Sequence, residues 1–189
     1  MKIVSIKHKS VPIGSSIRNA VINLSEMTAS VVVIESDVQR GGRTLKGYGF
    51  TSNGRYSAGG ILEDRMIPRL LRAEPSALLN EDGTNLDPFK AWVVMMRNEK
   101  PGGHGERTVA VGAVDMALWD LVAKIEAKPL YRVLAERFNE GRSESKVYVY
   151  AAGGYYYPGK HVSSLQDEIQ GYLDLGYDTV KVKIGGASL

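Results

Sequence analysis

Two lysines, Lys181 and Lys183, stand on alternate residues of Tyr177-Asp-Thr-Val-Lys-Val-Lys-Ile-Gly-Gly-Ala-Ser-Leu189, a short run rich in β-branched side chains. In a strand, residues i and i+2 share a face, so both ammonium groups project together and Val180, Val182 and Ile184 form the apolar side. Like charges held side by side disfavour each other's protonation, and a low-dielectric pocket adds to that. One lysine of such a pair can serve as a base near pH 7. The same spacing also fits an edge strand whose solvated lysines block pairing with another sheet.

The elements around the pair bear on this choice. Ser163-Ser-Leu-Gln-Asp-Glu-Ile-Gln-Gly-Tyr-Leu-Asp-Leu-Gly176 reads as a helix, with Ser163 as N-cap, Leu165, Ile169, Tyr172 and Leu173 at helical spacing, and Gly176 at its exit. Before it, Val147 to Ala152 reads as a strand that breaks at Gly153-Gly154. Strand, helix, strand is normally a right-handed crossover between parallel strands, whose faces are both buried. In that setting a solvated edge is no explanation, and the lysines fall at the carboxyl end of the strand, where ligands collect.

The first half has a different pattern. Strands are predicted over Lys2 to Lys9, Thr28 to Glu35 and Leu45 to Phe50, the last two joined by the hairpin signal Arg40-Gly-Gly-Arg43. Short links between consecutive strands favour an antiparallel meander. Helices follow: Ile61 to Ala73, then one opened by Asp87-Pro88 with Phe89, Trp92, Val93 and Met96 inward. Thr108 to Ile125 is small or apolar nearly all round and should be a central buried helix, with Asp115 and Asp120 in structural roles. Leu130 to Phe138 reads as a short helix, and the polar stretch from Asn139 to Ser145 as the domain boundary. The glycine-rich loop from Asn98 to Glu106, with Lys100 and His104, is either an ordinary linker or a flap over a ligand.

Composition limits the function classes. The 189 residues carry a formal net charge of +3, with bases scattered among acids, which gives no reason to expect nucleic acid or an anionic membrane as partner. The absence of cysteine excludes disulfides, thiolate metal sites and a cysteine nucleophile. With no apolar signal core at the N-terminus, a cytoplasmic location is expected.

The run Ala113-Val-Asp-Met-Ala-Leu-Trp-Asp120, with Lys124 and Lys128-Pro-Leu-Tyr131 after it, resembles the signature helix of the enolase superfamily in its mandelate racemase and muconate lactonizing branch. Lys181-Val-Lys183 is similar to that branch's Lys-x-Lys motif at the end of the second barrel strand. Four loops, Ser16 to Ala20, Ser52 to Tyr56, Asn98 to Arg107 and Tyr150 to Lys160, are close to the pattern of the D-tartrate dehydratase group.

The resemblance implies an α+β capping domain over residues 1–140, a three-stranded antiparallel meander plus helices. The start of a modified (β/α) TIM barrel would follow over 146–189. It implies a dehydratase that removes the proton α to a carboxylate of a small dicarboxylate hydroxy acid, converting D-tartrate to oxaloacetate and water by way of an Mg²⁺-stabilised enediolate. Lys183 corresponds to the base and Lys181 to the lysine beside it, which holds the carboxylate. Asn19 and Asn53 correspond to capping-loop residues, and Lys100 to a lysine suited to the second carboxylate. A whole barrel takes roughly 250 residues, so the resemblance puts the three acidic Mg²⁺ ligands and the histidine acid beyond residue 189, and none of His8, His104 and His161 matches the acid. This reads as the N-terminal part of a homo-oligomeric enzyme, inactive alone. Another acid-sugar dehydratase or epimerase of the superfamily stays open, as does a non-catalytic truncated remnant that binds or oligomerises.

Overall fold

A computed structural model describes residues 1–102 and 105–186, so His104 lies outside the described residues. Contacts group the chain into two compact units, Met1–Val11 with Thr28–Ser143 and Pro12–Met27 with Glu144–Leu189. The segment Pro12–Met27 is thus grouped with the C-terminal residues rather than with the strands on either side of it.

The first unit is built on a sheet of order β1-β2-β3, formed by β1 (Ile3–Pro12), β2 (Thr28–Arg40) and β3 (Arg43–Phe50). It is the expected meander, and all three strands run longer than the sequence signals alone suggest. Gly41 and Gly42, at φ 57° and 72°, make the tight β2–β3 turn that only residues tolerating positive φ allow. In the antiparallel register Val32 faces Gly49, Ile34 faces Gly47 and Glu35 faces Lys46, the last pair closing an ion pair at 3.3 Å.

The two glycines of β3 explain how the long helix α4 (Glu106–Glu126) lies on the sheet. A Cβ at Gly47 would overlap the carbonyl oxygen of Ala117 and come within 2.7 Å of Leu121 Cβ; one at Gly49 would overlap the Ala113 carbonyl oxygen. Small residues on both surfaces bring backbone onto backbone, and Val114, Leu118, Leu121 and Val122 are fully buried there. Asp120 has the structural role expected of it, accepting from the Tyr48 amide at 2.9 Å and from Lys124 Nζ at 2.6 Å. Asp115 is half-buried beside Trp92 and Trp119, and that burial pushes its carboxyl pKa up.

The stretch from Ala58 to Arg72 is one helical run in three parts, α1 (Ala58–Ile61), a π-helical Leu62–Met66, and α2 (Ile67–Arg72). His8 of β1 reaches it: the imidazole is buried and 3.1 Å from Glu63. In α3 (Pro88–Met96) the Asp87 carboxylate caps the amides of Phe89 and Lys90, as the Asp-Pro pair predicts.

The inward face of α3 is not the expected one. Ala91, Val94 and Met95 are buried and Met96 packs against the core as expected, whereas Phe89, Trp92 and Val93 are exposed. The helix carries two apolar stripes, and packing selects the one with the smaller side chains. Phe89 instead meets Trp119 and Phe138 edge-on, with ring centroids 6.0–6.1 Å apart, at the end of α5 (Leu130–Phe138).

The second unit holds a short parallel pair, β4 (Ala151–Gly153) and β5 (Val180–Val182), joined through α6 (Val162–Asp174). The parallel crossover is as expected, but the paired strand is shorter: Val147 to Tyr150 are exposed and unpaired with β5. The helix starts one residue before Ser163, with His161 at the cap and no side-chain capping bond. Among the described residues, no helix is long and apolar enough to cross a membrane.

Candidate active site

At the carboxyl ends of β4 and β5 lies a cavity of about 610 Å³ whose lining includes Arg18, Asn19, Tyr156, Lys160 and Lys183. All of these belong to the second unit. The parallel pairing sets Ala152 beside Lys181 and Gly153 beside Val182, so the chain leaves β5 directly into the cavity wall at Lys183.

Each lysine of the pair is held against a tyrosine of the preceding segment. Lys183 Nζ sits 4.9 Å from the centroid of Tyr155, and the residue is half-buried. Lys181 Nζ stands 5.2 Å from the Tyr150 ring and donates to its hydroxyl at 3.4 Å, and Lys181 is exposed. Of the two, Lys183 alone lines the cavity.

Asn19 arrives there by a backbone route. The Arg18 amide donates to Tyr156 O at 2.9 Å and the Tyr156 amide returns a bond to Arg18 O at 2.8 Å. The Tyr156 hydroxyl accepts from the Gly186 amide at 3.1 Å, which ties the turn after β5 to the same point. The side-chain oxygen of Asn19 is fully used within its own loop, accepting from the amides of Val21 and Ile22, each at 2.8 Å. Its NH₂ group is the part free to meet a ligand oxygen.

Asn53 and Lys100 belong to the first unit. Asn53 is exposed in the turn after β3, next to Gly54, whose amide donates to Thr28 O at 3.0 Å. Lys100 is exposed on a loop fixed by its neighbour: Glu99 accepts from Arg65, Arg69 and Arg107, at 3.0, 2.8 and 3.2 Å for the ion pairs. Burial opposes ionisation of Glu99, but the guanidiniums prevail and hold its pKa below the ordinary value. Arg107 also donates to Lys100 O at 2.8 Å.

Residues 4–135 match the family model described as mandelate racemase / muconate lactonizing enzyme, N-terminal domain. The chain belongs to this family of the enolase superfamily. It is 39% identical over 88 residues to an arabinonate dehydratase of Saccharolobus solfataricus, covering 47% of this chain and 22% of that protein. It is 34% identical over 140 residues to a D-galactonate dehydratase family member of Marinomonas sp., covering 71% of this chain and 29% of that one. A Bradyrhizobium enolase crystallised with magnesium and mandelic acid shares the fold, with a TM-score of 0.64 at 19% identity, over 99% of this chain and 46% of its own. The family member described here thus spans less than a third of those curated relatives and about half of that structure.

Among the described residues no three His, Asp or Glu side chains converge to hold a metal ion, so the residues present do not themselves fit an Mg²⁺ site. Of the residues expected at the site, Asn19, Lys181 and Lys183 belong to the second unit and Asn53 and Lys100 to the first, while no site role was expected of Arg18, Tyr155, Tyr156 or Lys160. The tyrosine-rich run from Tyr148 to Tyr157 was the available signal.

Proposed function

We propose that the chain contributes the capping domain and first barrel strands of an acid-sugar dehydratase, a hydro-lyase, with D-tartrate as substrate. The observation that carries this reading is the half-buried Lys183 lining one cavity with Asn19 at the carboxyl ends of parallel strands. Membership of the family and the two dehydratase relatives support the reaction class.

In this reading the Lys183 amine takes the proton α to a carboxylate. The electron pair left behind forms a carbon–carbon double bond as the neighbouring C–O bond breaks, the departing oxygen leaves as water after gaining a proton, and the enol product tautomerises to a keto acid. Lys181, anchored on Tyr150, holds the carboxylate of the substrate. The Asn19 NH₂ group donates to a substrate oxygen. An Mg²⁺ ion in the whole enzyme would stabilise the enediolate, and the described residues supply no ligand set for it.

The test is a screen of the complete enzyme against D-tartrate, D-galactonate and D-arabinonate, following keto-acid formation. Turnover of D-tartrate alone is expected. A preference for either sugar acid would move the assignment to the second reading, an acid-sugar dehydratase like the two relatives, which their identity favours.

A further inference from the structure

The Gly153-Gly154 step at the end of β4 is pressed between α6 and the backbone of Lys183. A Cβ at Gly154, which sits at φ 70°, would come within 2.8 Å of Val182 Cβ and 2.9 Å of Lys183 N; a Cβ at Gly153 would overlap Glu168 and reach 2.5 Å from the Tyr172 hydroxyl. The turn thus packs against α6 on one side and against the backbone at Lys183 on the other.

One carboxylate holds the turn in place. Glu168 Oε1 accepts from the Gly154 amide at 3.1 Å and from the Tyr172 hydroxyl at 2.8 Å, while Oε2 pairs with Lys160 Nζ. Glu168 and Tyr172 are four residues apart on α6 and so share a face. The Lys160 side chain is only 6% exposed and also lies over the Tyr157 ring at 4.9 Å, so its charge is spent inside the cluster. Burial works against ionisation of Glu168, yet Lys160, Tyr172 and the Gly154 amide together bring its pKa below the ordinary value.

We infer that Glu168 is a positioning residue for Lys183: by clamping the Gly154 amide, with Tyr172 and Lys160 fixing its two oxygens, it sets where the lysine enters the cavity. This rests on the reading of Lys183 as the base. Glu168 itself is not among the cavity-lining residues and acts through backbone contact.

The experiment compares Glu168→Ala and Glu168→Gln in the complete enzyme, using the best substrate of D-tartrate, D-galactonate and D-arabinonate. The glutamine keeps an oxygen for the Gly154 amide and Tyr172; the alanine does not. Glu168→Ala should lower kcat about tenfold or more with KM moved far less, since misplacing a reacting group acts on the chemical step. Glu168→Gln keeps the Gly154 and Tyr172 hydrogen bonds but loses the charge of the Lys160 pair, so its kcat should stand at least about threefold above that of the alanine variant. Hydrogen exchange over residues 180–186 should be faster in the alanine variant than in the glutamine one, a readout that needs no substrate. Should the alanine variant fail to fold, Tyr172→Phe replaces it, with a smaller kcat loss and the same faster exchange expected.

Unchanged kcat and exchange in the alanine variant, or an equal kcat loss in both glutamate variants, would overturn the proposal. Lys183→Ala run alongside separates the two levels: full turnover there removes the base assignment, while exchange over 180–186 still judges the clamp.

Discussion

Arg18 and Tyr156 exchange both of their backbone hydrogen bonds, at 2.9 and 2.8 Å, across 138 residues of sequence (156 − 18). Backbone pairing of this kind depends little on side-chain identity, so it fixes the 12–27 loop on the β4–α6 loop while leaving the side chains free to vary. Asn19, next in the chain, is delivered to the cavity that Lys183 lines.

Asn19→Asp is expected to keep that loop, because the carboxylate still accepts from the Val21 and Ile22 amides. It removes the NH₂ donor and places a negative charge where a substrate oxygen would sit. The kcat/KM for D-tartrate should fall about tenfold or more, mostly through KM. Steady-state kinetics of the complete enzyme check this, and an unchanged KM removes Asn19 from the site.

Lys183→Ala should abolish both turnover and exchange of the substrate α-hydrogen with solvent deuterium, with the fold retained by circular dichroism. Lys181→Ala should lower affinity and rate together, because its role is electrostatic. Exchange that persists without Lys183 would transfer proton abstraction to another group.

Gly49→Ala places a methyl group against the Ala113 carbonyl and within 2.9 Å of Ala117 N. Both are helix backbone and cannot turn aside, so α4 must lift from the sheet at a cost of about 2–3 kcal/mol. Thermal unfolding should show Tm lowered by roughly 5–10 °C. A change in Tm within error would mean that α4 does not rest on β3 as described.

Glu99 predicts an acid limit to stability. Its pKa is depressed in the folded state, so its stabilisation is fully present above the unfolded value of about 4.3 and is lost as pH falls through the lower folded value. Glu99→Gln should lower Tm at pH 7, leaving three guanidiniums around a neutral amide, and should narrow the gap to wild type as pH drops below about 4. A gap that stays constant down to pH 3 would assign the effect to packing instead of charge.

Local sequence determined a good deal of this protein. The β-branched run of β2, the Arg40-Gly-Gly-Arg43 turn, the Asp87-Pro88 helix start and the strand–helix–strand order around the lysine pair each depend on neighbours a few residues apart, and each is present in the structure. The lysine pair was legible by type and spacing for the same reason, whereas Asn19 was reached only through the family resemblance. The choice of apolar stripe on α3 was not, because periodicity reveals that Phe89, Trp92 and Val93 lie on one side but not which side meets the core. Tertiary structure alone decided that Gly47 and Gly49 admit α4, that the 12–27 loop belongs with residues 144–189, and that Glu168 clamps the turn behind Lys183. These are contacts between distant segments, set by excluded volume and hydrogen-bond satisfaction, and a local reading of the chain carries no distance between such segments.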